Sequence, residues 1–590
     1  MRSRFRAVLF GLLVVSCGGA RNPPPRCPEG PSAGADPRPS PATPAGATPA
    51  RPRTYVTIAV RPEPSPAAHV HVELRAAGKL SPTLRLTTGA AADVTALTAR
   101  DGSGAISAAV ADVGGGVTVT LARVPTGELS VAYDVKATAD ARAVTSALVV
   151  ADDRFRGLGE AFVLLPTSLE NEKAELTVTI DGAAIRAPNA ASSFGLGASR
   201  MREAQGRALV RSAYLAGSLG VASFADAVDT DHAAWLGYTA FDPRPAAAEV
   251  AQIRTALRER WHGGGDEAFG LLFVSTPRPS GAYAMLPRAG SVLVHLGPDE
   301  PWSPAMRVNL TQHLMHAWLG GELRLAAGEG APAAETTWFH EGVARHLGAR
   351  LLEQLGFMKP EAALDYTTGL LAVQATSPHH GKSNSAVAAL AQKDAGARAL
   401  LVARGALYAQ RLAARIHTRS SGARTLESGV VLPLLDGARD GHSIVLTAAA
   451  LDAALAREAG PDEPKERAAW LAGKDVVLPE TSLGPCFRAR AGQYAAFDLG
   501  FDLDATLDSP TRAITGLVVG GTAASAGLAE GDTLDDAAYK EGRADVPVKL
   551  SVSRGGKRTT LTYLPRGPRR PGQAFERVRA VADAACGPIL

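Results

Sequence analysis

Gln312-His313-Leu314-Met315-His316-Ala317-Trp318 and Trp338-Phe339-His340-Glu341-Gly342 are the two stretches on which the fold turns. In the first, polar residues at 312 and 316 stand one helical turn apart and so share a face. Ser303 upstream offers a capping hydroxyl, Pro304 suits a first helical position, and Gly320-Gly321 stops the run. This punctuation predicts a helix from Pro304 to Leu319. A second helix is expected from about Phe339 to Leu355 and carries Glu341, twenty-five residues after His316.

Around these helices the pattern mixes strands with helices from 183 to 484. Gly270-Leu271-Leu272-Phe273-Val274 and Ser291 to Leu296 read as strands, and Ala247 to Trp261 as a helix. From 54 to 182 the text changes. Tyr55 to Val60, His69 to Leu74, Val117 to Leu121, Leu129 to Val135 and Ala174 to Ile180 alternate at period two between turn residues. That pattern predicts an antiparallel β-sandwich. Residues 485–566 again read as strands, with a glycine-rich turn near Gly527 and Gly531-Asp532. A tail is expected at 567–590, in which Arg569-Arg570 is a short solvated run.

The chain has 590 residues, too many for one core, and a net charge of +4. So small an excess over so long a chain makes no electrostatic case for nucleic acid. Arg2, Arg4 and Arg6 precede a short apolar run, Ala7 to Val15, that cannot span a bilayer. Val14-Val15-Ser16-Cys17-Gly18 then resembles a bacterial lipobox. The resemblance implies a signal peptide at 1–17, lipidation of Cys17, and a lipid-anchored place in the cell envelope, at the outer membrane facing the periplasm. Residues 18–53 are crowded with Pro and Ala and read as a semi-extended tether. Cys27 lies in that tether. Cys486 and Cys586 have the chance to pair in an oxidising compartment, which sequence alone does not decide. No cysteine has metal-site spacing.

A zinc hydrolase needs three protein ligands and an open position for water. In H-E-x-x-H the two His face one way, and the Glu beside the first deprotonates the metal-bound water. Here Gln312 stands at the first ligand position and His313 at the general-base position, while His316 and a distal Glu341 remain. Glutamine offers only a neutral carbonyl oxygen, a poor zinc donor.

His316-Ala317-Trp318, Trp338 to Gly342, Arg404-Gly405-Ala406-Leu407 and Ala526-Gly527-Leu528 with Gly531-Asp532 occur in the order found in one family. The chain resembles the glycyl aminopeptidases, gluzincin metallopeptidases with a β-domain, a thermolysin-like domain and a C-terminal PDZ domain. The resemblance implies a multidomain α+β chain: an N-terminal antiparallel β-sandwich, a thermolysin-like mixed domain and a PDZ-like β domain. It assigns His316 and Glu341 as vestigial metal ligands. It places Gly281-Ala282-Tyr283-Ala284-Met285, which lacks an acid, on the strand near substrate. It also places Val402 where an oxyanion-stabilising Tyr belongs. A general base alone contributes about 10²–10⁴ in rate, and one oxyanion donor about 10²–10³.

Those losses predict an inactive peptidase scaffold that binds peptide or protein, with no cofactor expected. The alternative is an active metallo-aminopeptidase with zinc in a rebuilt site of His313, His316 and Glu341, helped by Gln312 or His340. A third reading is a structural envelope lipoprotein whose PDZ-like domain recruits a partner. In that domain the Leu499-Gly500-Phe501 turn is expected to cradle a partner's C-terminal carboxylate. His379-His380 reads as a solvated loop pair, and His346 as pointing away from the site.

Overall fold

Tyr55–Glu63 and His69–Ala77 each bury alternate side chains, as strands do when one face of their sheet meets a core. The computed structural model describes residues 54–65, 67–137, 148–225, 230–237, 239–262, 268–276, 283–297, 299–441, 444–539, 542–582 and 585–587. The expected signal, tether, Cys17 and Cys27 lie outside them, as do Gly281 and Ala282.

Seven strands make the first sheet, in the spatial order Ser199–Gln205, Lys173–Ile180, Tyr55–Glu63, His69–Ala77, Leu129–Lys136, Val94–Asp101 and Gly104–Ile106. Its inward residues share a core with two smaller sheets, through Ile58, Leu74, Val119, Phe155, Leu176 and Tyr214. The expected all-antiparallel array has one exception. Tyr55 to Val60 pairs parallel with Glu175 to Ile180, because the chain returns beside its first strand after a long excursion rather than through a hairpin. The same core takes in Leu209 and Ala216.

The mixed region is built on a sheet ordered Gly220–Ala225, Thr230–Leu236, Gly270–Ser275, Ser291–Leu296 and Tyr283–Arg288. Its three middle strands are parallel and both edges antiparallel. Gly270–Ser275 and Ser291–Leu296 are buried almost end to end, which is why they read as unbroken apolar runs rather than alternating ones. Helices Pro243–Trp261 and Pro304–Met315 pack on it, Ala344–Gln354 packs on Pro304–Met315, and Ala395–Arg419 on Ala344–Gln354, in one core with Trp261, Phe273, Leu310, Trp338 and Leu352.

The cap of the histidine helix is as expected: Ser303 accepts from the Met306 amide and Pro304 opens the helix. The helix ends at Met315, short of Leu319. The amides of His316 and Ala317 bond three residues back, to His313 and Leu314, and this tighter winding ends the α-helix. His316 is thus its C-cap.

At the C-terminus, Thr533–Ala538, Val548–Arg554 and Lys557–Tyr563 form a small sheet over Ile514, Leu534, Val548 and Leu550. The expected tail is corrected. Arg566–Arg577 is a strand antiparallel to Phe487–Phe497. Its Phe575 reaches the main core, while Arg569 and Arg570 remain exposed. Cys486 and Cys586 are joined by a disulfide.

Candidate functional site

Glu341 sits on a π-helical turn, Trp338–Val343, continuous with the Ala344–Gln354 helix. Two glycines let that turn press against the Ala395–Arg419 helix. A Cβ on Gly342 would lie 2.6 Å from the Gly405 Cα, and one on Gly405 would lie 2.2 Å from the Trp338 carbonyl oxygen. Both positions therefore require glycine, for packing rather than chemistry. The turn faces the end of the histidine helix and brings Glu341 onto Gln312 and His316.

One carboxylate oxygen joins all three. Gln312 Nε2 donates to Glu341 Oε2, and His316 Nε2 lies 3.1 Å from the same atom. Gln312 Oε1 accepts from Arg345 Nη1 at 3.3 Å. The other ring nitrogen of His316 is 3.2 Å from the Leu319 carbonyl. Carbonyl and carboxylate both only accept, so His316 bonds both as an imidazolium. Burial opposes that charge, but the hydrogen bond to Glu341 and its negative charge outweigh burial and raise the His316 pKa. Burial likewise works to raise Glu341, yet the His316 bond and charge, with the Gln312 amide, hold it down near 2. Arg398 Nη2 stands 3.8 Å from Glu341 Oε1.

The remaining histidines do other things. His313 stays neutral, its pKa pushed down to about 4 by burial and by the charge of His316. Its Nδ1 is buried without a hydrogen-bond partner among the described residues. His340 Nε2 accepts from the Leu325 amide at 2.9 Å, which removes it from the site. His346 is fully buried, with neither ring nitrogen partnered among the described residues. His379, expected to be solvated, is 8% exposed and bonds Asp394 at 2.7 Å. His380 does sit outside and pairs with Asp475.

Near the edge strand, the Tyr283 hydroxyl receives Asn309 Nδ2 at 2.6 Å. Val402 is half-buried on its helix. A cavity of about 500 Å³ opens beside the cluster, lined by His313, His316 and Trp318 together with Arg254, Arg258 and Arg288. Sequence reasoning missed Arg345 and Arg398. Arg345 was findable, four residues after Glu341 on one helix. Arg398 carries no sequence signal, because only the packing of a distant helix brings it close.

The donors here do not suit a zinc ion. His316 and Glu341 address each other, Gln312 turns an N–H toward the carboxylate, and its one acceptor oxygen is taken by Arg345. Among the described residues, no three His, Cys, Asp or Glu converge as a metal site needs. The rebuilt set of His313, His316 and Glu341 is not assembled either.

In the bend after the Phe487–Phe497 strand, Gly500 has a φ of +77°. Its amide, one of those expected to cradle a carboxylate, already donates to Asp498 Oδ1 at 2.7 Å. Tyr563 donates to the Leu499 carbonyl at 2.7 Å, and Phe501 is buried in the local core.

An aminopeptidase N family protein from Idiomarina loihiensis superposes with a TM-score of 0.62 over 88% of this chain and 98% of that one, at 15% identity. The chain has an aminopeptidase N fold. An M1 zinc metallopeptidase from Deinococcus radiodurans matches 72% of this chain and 94% of its own, at 17% identity and a TM-score of 0.44. No protein-family model and no curated protein matches the sequence. At such identity the likeness is one of fold, and the chemistry has to be argued from the cluster itself.

Proposed function

We propose that this chain is a peptidase-fold protein that binds peptide or protein segments and does not hydrolyse them, held at the cell envelope by a lipid on Cys17. The observation that carries the reading is the closed set of hydrogen bonds among Gln312, Glu341 and His316. A hydrolytic zinc site needs lone pairs aimed at one open point; here they are spent on neighbours. The degenerate motif, Gln312 for a ligand and His313 for a base, supports the same conclusion. The cavity beside His313 offers walls of apolar and cationic groups in which an extended segment can lie. The PDZ-like reading of residues 485–566 adds a second binding face. There a partner's C-terminal carboxylate must displace Asp498 from the Gly500 amide.

The test uses purified chain with Cys17 replaced by Ser, assayed for bound metal, for cleavage of peptides with N-terminal Gly or Ala, and for capture of those peptides. The expected result is capture with substoichiometric zinc and no cleavage. Stoichiometric zinc with chelator-sensitive cleavage would establish the rebuilt-site aminopeptidase instead. Capture that vanishes when residues after Gly484 are deleted, in a protein still folded, would move binding to the PDZ-like face.

A further inference from the structure

We propose that the cavity beside His313 holds a short peptide by a carboxylate, either its C-terminal one or that of an Asp or Glu side chain. An N-terminal amine finds no counter-charge there. This rests on the peptide-binding reading of the cavity given above. Its volume of about 500 Å³ lies within the roughly 300–1,000 Å³ of small-ligand sites. It therefore suits a peptide end rather than a folded surface.

The charged side chains on its lining are Arg254, Arg258 and Arg288, joined by the imidazolium of His316. Arg254 and Arg258 stand four apart on the Pro243–Trp261 helix and so share a side of it. Among the described residues, no Asp or Glu lies on that lining. The carboxylates that come near are spent on the cations. Asp231 accepts from Arg254 and from the Phe269 amide at 3.1 Å. Glu160 takes Arg288 Nη1 at 2.9 and 3.2 Å. Glu341 Oε2 holds Gln312 and His316.

These pairs lower the net charge, so the ligand is selected by arrangement rather than by sum. The cations line the space and their partners do not. A guanidinium has five N–H donors in a fixed fork and no acceptor, so every arginine on this lining can only donate. A carboxylate is the group such donors meet best. Each ion pair also holds its arginine in place, which spares the ligand the cost of ordering it. An ammonium needs the reverse, an acceptor with a lone pair to give, and the nearby acids have theirs engaged. Leu257, Phe269, Val292 and Leu314 make the rest of the lining apolar. That surface takes the side chain beside the carboxylate and strengthens the charged contact by excluding water.

Calorimetry of the full chain carrying Cys17→Ser tests this with four Ala- and Leu-based peptides of one length. The first is blocked at both ends and has no acid. The others differ from it by a free C-terminus, by one Glu, or by a free N-terminus. At least one of the two carboxylate peptides should bind about tenfold tighter than the blocked one, as one charge-assisted hydrogen bond provides. The free amine should gain nothing. Whichever carboxylate peptide gains identifies the source. Four equal affinities overturn the carboxylate preference and leave peptide binding standing; no binding by any of the four overturns both. Arg258→Gln should remove the gain. A gain that survives places the carboxylate elsewhere, the Leu499-Gly500-Phe501 turn included, and overturns the proposal. Should Arg258→Gln fail to fold, a photo-crosslinking copy of the tighter peptide decides on the parent chain. Adducts within residues 254–318 uphold the proposal, and adducts confined to other residues overturn it.

Discussion

At Gln312 the amide hydrogen goes to Glu341 and the carbonyl oxygen takes Arg345, so one neutral side chain acts as a strut between two charged ones. Much of this was legible. The identities at 312, 313, 316 and 341, and the departure of the first two from the His-Glu pair of H-E-x-x-H, could be read directly, because side-chain chemistry is local information. What filled the gap was not legible, since Arg345 and Arg398 arrive by packing. The strut makes a direct prediction. Gln312→His with His313→Glu should turn a metal-poor protein into one carrying close to one zinc, read by metal analysis after dialysis; continued absence of zinc would mean that the backbone no longer holds the metal geometry. Restored cleavage is not expected to follow, because Val402 still offers no oxyanion donor. His346 gives a second prediction. Burial, with the charge of Arg350, pushes its pKa down to about 3 from the ordinary 6.5. The folded state keeps it neutral while the unfolded chain protonates below about 6.5, so stability is full above that pH and drains as pH falls from 6.5 toward 3. The slope from one such group is at most about 1.4 kcal/mol per pH unit. His346→Leu should flatten the fall in urea midpoint between pH 6.5 and pH 4 while leaving the protein folded at neutral pH.

Among the elements, the strands and helix caps were readable and the helix ends were not. Period-two alternation in Tyr55–Glu63 and the Ser303-Pro304 cap are signals carried within a few residues. The early stop at Met315 and the π turn at Trp338–Val343 are tertiary outcomes; nothing in local propensity announces a π turn, which exists here to fit Glu341 between two other helices. Its cost is tolerated because the Ala395–Arg419 helix can approach to backbone contact at Gly342 and Gly405. Gly405→Ala would set a methyl 2.2 Å from the Trp338 carbonyl oxygen. That atom is backbone and cannot swing aside, so the two helices must separate. Overpacking of this kind costs about 1–3 kcal/mol, sometimes more. The expected outcome is a lower unfolding midpoint with peptide capture weakened in parallel, whereas Ala at the exposed Gly437, a helical position with open space around its Cβ, should raise the midpoint slightly through its better helix propensity and leave capture unchanged. Equal effects at the two positions would show that close approach is not what Gly405 provides.

At the scale of the whole molecule, the C-terminal region is tied back to the helical core in a way the sequence disguised. Residues past Arg566 looked like a tail because Arg569, Arg570 and the prolines around them are poor strand formers. Pairing with Phe487–Phe497 overrides that propensity, and the two arginines stay exposed on successive positions of the strand. The disulfide Cys486–Cys586 closes a loop across a sequence separation of 100, with both small-domain sheets inside it. In the chain-entropy model, closing a loop of that size restricts the unfolded state by about 4–5 kcal/mol. Its absence should therefore be felt first in the region it encloses. Cys486→Ser with Cys586→Ser should lower the unfolding free energy of residues 487–585, followed by hydrogen exchange, by an amount on the order of 2–4 kcal/mol, while exchange in the Ala395–Arg419 helix of the helical core is unchanged. If both regions lose protection together, the C-terminal sheets and the helical core unfold as one cooperative body, and the bridge steadies the candidate cleft as well as the small domain.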